Sequence, residues 1–316
     1  MHSFAFVFPG QGSQAVGMLD AWGDHPAVAA TLEEASGALG EDLGRLIKDG
    51  PKEALAMTIN TQPVMLVAGV AAYRAWLAEG GPAPAVVAGH SLGEYCALVA
   101  AGVLTLAQAA PLVRFRAQAM QDAVPAGSGA MAAILGIDAQ RVIEGCSEAV
   151  RSFGIGTSEV VEAVNFNDPG QTVIAGSKAG VDKACEVLKA NGAKRTLLLP
   201  VSAPFHSSLM KPAADKLRDM LAVTAFAAPQ IPVVNNIEVR VETQADRIRG
   251  ALYEQAFGPV RWVECVRAIK SRGVTTIVEC GPGKVLAGLC KRIDSELTGL
   301  ALFDPVSLAD VKGQLA

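Results

Sequence analysis

The chain has 316 residues, of which 51% are hydrophobic and 18% charged, with a formal net charge of −4 at neutral pH. This composition excludes a disordered polymer, and the acidic balance lacks the basic footprint of a nucleic-acid binder. The N-terminus carries no basic stretch ahead of a long apolar run, and longer apolar stretches are broken by Arg74 or by His90 and Glu94, so neither a signal peptide nor a membrane span is expected.

In chain order, Phe4 to Phe8 reads as a short apolar strand that stops at Pro9-Gly10. Helical patterns follow over 26–39 and 62–77, then a buried strand over 85–88 and a helix over 94–101. Strand, turn and helix alternating in this way imply a parallel sheet covered by helices. After the connector Pro125-Ala126-Gly127-Ser128-Gly129 the spacing predicts a strand over 130–135, a helix over 139–150 and a strand over 160–165. The turn Asn167-Asp168-Pro169-Gly170, a strand over 172–175, a helix over 180–190 and a strand over 195–199 complete a βαββαβ order, the ferredoxin-like unit. Alternation resumes after Pro200, with a late buried strand over 275–278. The expected class is therefore α/β, with a large unit of residues 1–126 and 200–316 and a ferredoxin-like insert over 127–199. No internal repeat is present. The six cysteines show no C-x-x-C spacing and read as reduced thiols of a cytoplasmic protein, with Cys96 a small buried side chain.

Gly89-His90-Ser91-Leu92-Gly93 matches G-x-S-x-G between an apolar strand and a helix, the setting in which a serine is presented on a strained turn as a nucleophile. The alternative is a glycine-rich turn whose serine caps the next helix. A catalytic serine needs a base, and the chain has four histidines. His2 is terminal, His25 lies in a polar stretch, and His90 adjoins Ser91, where side chains diverge. His206 remains, although a loop histidine taken alone is more often structural. Oxyanion stabilisation would come from the Leu92 amide and from a second donor, for which the loop Pro9-Gly10-Gln11-Gly12 is well placed. That loop lacks the third glycine of a dinucleotide fingerprint, and Gly281-Pro282-Gly283-Lys284 lacks phosphate-loop spacing.

Several motifs in order carry a further reading. They are Phe8-Pro9-Gly10-Gln11-Gly12-Ser13-Gln14, Gly89-His90-Ser91-Leu92-Gly93-Glu94-Tyr95, the Arg116 segment, Asn165-Phe166-Asn167 with Pro169-Gly170-Gln171, Pro204-Phe205-His206, and Glu279 to Leu286. Nearly end to end, the chain resembles the malonyl-CoA:acyl carrier protein transacylases, a family related to the acyltransferase domains of polyketide synthases. The resemblance implies a hydrolase-like α/β core with a ferredoxin-like insert. It implies Ser91 as the acylated nucleophile, His206 as base, and the Gln11 and Leu92 amides as the oxyanion hole. Arg116 is implied as the partner of the malonyl carboxylate, against the alternative of a surface helix charge. Gln255 would orient the histidine through its backbone carbonyl, and Asn167 and Phe205 would line the substrate pocket. Ala117 stands where the family often has glycine. The reaction so implied is ping-pong transfer from malonyl-CoA to acyl carrier protein without metal or other cofactor. Lys194, Arg195, Lys284, Lys291 and Arg292 are candidates for receiving the acidic carrier, and a monomer is compatible with the sequence. A polyketide-type trans-acting acyltransferase, an esterase using Asp168 or Asp182 as acid, and a non-catalytic docking domain are the alternatives.

Overall fold

In the computed structural model, which describes residues 3–315, the five apolar residues Phe4–Phe8 form β1 and are all buried. A strand buried on both faces needs helices above and below it. The chain supplies α1 (Pro26–Leu39), α2 (Leu43–Asp49), α3 (Lys52–Ala56) and the long α4 (Thr58–Ala78), then β2 (Val86–Gly89), α5 (Gly93–Ala100) and α6 (Leu106–Gln121). His25 caps α1 by accepting the Ala27 amide, Pro26 opens it, and Gly40 in the left-handed region closes it. The sequence pattern starts α4 at Gln62, whereas the helix begins at Thr58 with Pro63 inside it. The missing Pro63 N–H costs a hydrogen bond, which burial of most of α4 offsets.

The next segment builds its own sheet. β3 (Gly129–Leu135), α7 (Ala139–Ser152), β4 (Val161–Asp168), β5 (Gln171–Ser177), α8 (Lys178–Ala190) and β6 (Arg195–Leu198) give an antiparallel sheet in the order β4-β5-β3-β6. This is the βαββαβ arrangement, and Ile134, Val142, Ile174, Val181 and Leu188 pack its separate core. Backbone bonds from Phe166 to the Val260 carbonyl and from Val260 to the Val164 carbonyl tie β4 to the rest of the molecule.

The last part contributes α9 (Lys211–Val223), β7 (Val233–Val234), α10 (Ala245–Phe257), α11 (Trp262–Lys270), β8 (Thr276–Cys280), α12 (Val285–Ile293), β9 (Thr298–Leu302) and α13 (Pro305–Leu315). The large sheet is parallel, in the order β7-β2-β1-β8-β9. Its connections leave β1 toward β2 on one side and return to β8 on the other. Ligand crevices of open α/β sheets form where the strand order reverses in this way, beyond the carboxyl ends of the strands. Among the described residues no helix is long and apolar enough to cross a membrane.

Glu279, fully buried on β8, anchors the start of α12 by accepting the Ala287 amide at 2.9 Å. Burial pushes its carboxyl up from the usual 4.5 to about 7, against the opposing pull of the α12 amides. A carboxylate pKa raised by folding contributes stability that is complete below the unfolded value and is lost as pH rises through the folded one. Glu279→Gln removes that dependence. Between pH 5 and 8.5, urea unfolding should show the variant gaining on the wild type by up to about 3 kcal/mol.

Candidate active site

The turn between β2 and α5 is packed so closely that it demands glycine on both sides. A Cβ at Gly89 would lie 1.9 Å from the Gly93 carbonyl, and one at Gly93 would lie 2.1 Å from the Phe8 carbonyl. Ser91 between them sits at φ 52°, in the left-handed region that a serine rarely occupies. Asn236, buried just after β7, holds this strained turn. Its Oδ1 accepts the Ser91 amide at 2.7 Å and its Nδ2 donates to the Gly89 carbonyl at 2.7 Å. Gly93→Ala is expected to cost about 3 kcal/mol in unfolding experiments, because backbone and not a movable side chain stands in the way. Gly37→Ala, within α1 and with open space at its Cβ, should instead be neutral or stabilising by about 1 kcal/mol.

Ser91 Oγ lies 2.6 Å from His206 Nε2, and His206 Nδ1 lies 2.8 Å from the Gln255 carbonyl oxygen. A carbonyl can only accept, so Nδ1 carries the proton and Nε2 is free to accept from the serine. Burial first, and then the nearby Arg116 charge, push His206 down to about 3, leaving the imidazole neutral and able to act as a base. Among the described residues no carboxylate is bonded to this histidine: Asp168 pairs with Arg292 and Asp182 with Lys178. The esterase reading, with either aspartate as acid, has no support in this geometry. The Gln11 and Leu92 amides donate to no acceptor among the described residues, as donors awaiting an oxyanion would.

Arg116 lies on α6 but is only 2% exposed, so it is no surface charge. Its Nη1 donates to Gln62 Oε1 at 2.6 Å, and its Nη2 donates to Gln255 Oε1 at 3.1 Å and to Ser91 Oγ at 3.3 Å. The Tyr95 ring lies 5.6 Å from the guanidinium. All of these partners are neutral. A buried cation held only by neutral oxygens beside a serine hydroxyl is able to receive an anionic group.

Arg116, Ser91, His206 and Phe205 line one cavity of about 110 Å³, together with Gln62 and Asn165. It shares Gln11, His90, Asn165 and Leu199 with an outer cleft of about 550 Å³, bordered by Lys284 and Arg292. Asn167 lies on this outer cleft, not on the inner cavity, and its Oδ1 is 2.9 Å from His90 Nε2. The His90 ring is bonded to Asn167 and packs at a tilt against Trp262, with ring centroids 5.5 Å apart. His25 is spent on its helix cap. Cys96 is buried with its thiol pushed well up, an inert packing group. Among the described residues no cluster of three or more His, Cys, Asp or Glu could hold a metal ion.

Three neighbours escaped the sequence reading: Gln62, Asn236 and Glu94. Glu94, three residues beyond Ser91, is 2% exposed, and its Oε2 accepts the Asn236 amide at 2.9 Å and Gln255 Nε2 at 3.0 Å. Burial pushes its carboxyl up to about 7. A charged residue in the first turn of an otherwise apolar helix was the signal available for it.

Fold and site together define an α/β protein in which a serine on a strained turn, a neutral imidazole and a buried cation meet in one cavity. The chain belongs to the acyl transferase domain family, whose match spans residues 5–298. It is 54% identical to the malonyl CoA-acyl carrier protein transacylase of Escherichia coli (strain K12) over 310 residues, 98% of each chain. The solved acyl-carrier-protein S-malonyltransferase of Burkholderia pseudomallei 1710b is 61% identical and superposes with a TM-score of 0.95, covering 98% of this chain and 99% of that one. A malonyl-transacylase solved in complex with its type II PKS acyl-carrier protein is 49% identical, with a TM-score of 0.95 and 99% coverage of both chains.

Proposed function

We propose that this chain moves a malonyl group from malonyl-CoA to the pantetheine thiol of an acyl carrier protein through an ester on Ser91. The observation that carries the reading is a buried guanidinium, without an anionic partner, 3.3 Å from a serine oxygen that is also 2.6 Å from a neutral imidazole. His206 Nε2 takes the Ser91 proton as Oγ attacks the thioester carbonyl. The Gln11 and Leu92 amides hold the oxyanion, and His206 returns the proton to the departing sulfur of coenzyme A. The carrier thiol then gives up its proton to His206 and attacks the ester, and Ser91 recovers its hydrogen as the malonyl thioester leaves. Arg116 pairs with the distal carboxylate in both half-reactions, and Phe205 closes the acyl cavity.

In this reading residues 127–199 form the smaller unit, inserted between 1–126 and 200–316, and the cleft between the two sheets admits the pantetheine arm. Lys284 and Arg292 border that cleft, whereas Lys194 and Arg195 lie at the β6 edge of the small sheet. Lys284 and Arg292 are thus the better candidates for meeting the phosphates of coenzyme A or an acidic carrier. The chemistry calls for no metal or redox group. The test is transfer: malonyl-enzyme freed of coenzyme A should pass its acyl group to a holo-acyl carrier protein. Release of free malonate, with none on the carrier, would mark a hydrolase instead.

A further inference from the structure

Gln255 holds two jobs at once. Its backbone carbonyl takes the His206 Nδ1 proton, while its side-chain oxygen takes a hydrogen from Arg116 Nη2 at 3.1 Å. A side-chain amide can be turned either way, and only one orientation offers that oxygen to the guanidinium. Turned over, it would point two N–H groups at a cation and push it aside. Two acceptors on the far side fix the choice. Gln255 Nε2 donates to the Ser91 carbonyl at 3.0 Å and to Glu94 Oε2 at 3.0 Å. Glu94 Oε2 offers an acceptor shaped by the fold, and in its ionised form its bond to Nε2 is roughly twice as strong as one to a neutral acceptor. Its position is fixed in turn by the Asn236 amide at 2.9 Å. The Glu94 carboxyl therefore stands one amide away from the buried guanidinium, without occupying the face that a substrate carboxylate needs.

We propose that Glu94 is a positioning residue for malonyl recognition, which sets the Gln255 amide so that its oxygen aims the Arg116 guanidinium at the acyl carboxylate. The proposal rests on the malonyl-transfer reading above. A malonyl carboxylate reaching Arg116 then meets a cation already pointed at the cavity and held by oxygens it need not displace. Acetyl, which has nothing to offer Arg116, gains nothing from that aim. Glu94 thus acts on the choice between acyl groups, through Gln255.

Four proteins test this: the wild type, Glu94→Gln, Gln255→Leu and the double variant, each loaded with malonyl-CoA and separately with acetyl-CoA. Glu94→Gln keeps the volume and removes the charge that discriminates between the two ends of the Gln255 amide. The ratio of malonyl to acetyl loading rates should fall about tenfold in Glu94→Gln. It should fall at least as far in Gln255→Leu, whose backbone carbonyl still serves His206. In the double variant it should fall no further than in Gln255→Leu, the signature of two residues acting in series. A parallel loss of both loading rates, with the ratio held within about twofold, would reduce Glu94 to a packing role and overturn the proposal, as would additive effects in the double variant. If Glu94→Gln does not fold, an unchanged ratio in Gln255→Leu overturns it and a lowered one supports it. Wild-type protein that takes up no malonyl group would instead sink the malonyl reading itself.

Discussion

Replacing His206 with alanine is expected to slow acylation of Ser91 by malonyl-CoA by about 10²–10⁴-fold, the usual worth of a positioned general base. Among the described residues the serine hydroxyl has no other base to reach. His90, next in sequence, turns its ring to Asn167 and Trp262, and no carboxylate approaches Ser91 Oγ by a hydrogen bond among the described residues. His206 is prepared for the task from both sides. The Gln255 carbonyl fixes which nitrogen carries the proton, and burial beside Arg116 keeps the ring neutral. Single-turnover loading of the variant, followed by mass or radiolabel, measures the loss. A His206→Ala variant that loads within a few-fold of the wild-type rate would mean that another group removes the proton.

Arg116→Ala should have an effect of similar size but opposite selectivity. A malonyl carboxylate brought into the cavity would lose the Arg116 guanidinium that lines it, and stranding one partner of a buried ion pair costs about 3–5 kcal/mol, on the order of 10²–10⁴-fold in loading rate. Acetyl-CoA brings no carboxylate, so its loading should rise relative to malonyl until the preference reverses. The variant also leaves Gln62 Oε1 and Gln255 Oε1 without their donor, and some stability should be lost with them. The ratio of the two loading rates separates that general loss from a change in recognition. Arg116→Lys retains charge but not the two-pronged geometry and should fall between the two. Unchanged discrimination in Arg116→Ala would remove the arginine from substrate choice.

Local pattern carries the fold a long way in this chain. The five apolar residues of β1 and the apolar strand ahead of Gly89 are visible without any structure, because a strand covered on both faces has no polar side to show. The βαββαβ insert is legible because α7 and α8 each have one apolar face. α4 is harder, since a helix buried all round loses its period, and its first turn from Thr58 lies outside the legible pattern. β7 is only two residues long, too short to leave a pattern.

Ser91, Arg116, Phe205 and His206 line one cavity and Asn167 its outer cleft, with Gln255 behind them, but they are only part of what holds it. Ser91 and His206 stand out through a motif and through the scarcity of histidines. Gln62, Glu94 and Asn236 do not. Each is a polar side chain on a buried face whose partners lie 54 to 161 residues away in sequence, and such pairings are made by packing alone. Asn167 lines the outer cleft rather than the inner cavity, where β4 is irregular, with register shifts between Ala163 and Asn165 and between Phe166 and Asp168. Asn165 faces the inner cavity, and Asn167 is left on the outer cleft.

The most direct measurement is intact mass spectrometry with peptide mapping after brief exposure to malonyl-CoA, run beside acetyl-CoA and beside Ser91→Ala. One malonyl adduct, confined to the peptide that bears Ser91, strongly preferred over acetyl and missing from Ser91→Ala, is the predicted result. An adduct on any other residue, or an unmodified wild-type protein, would contradict a mechanism built on this serine.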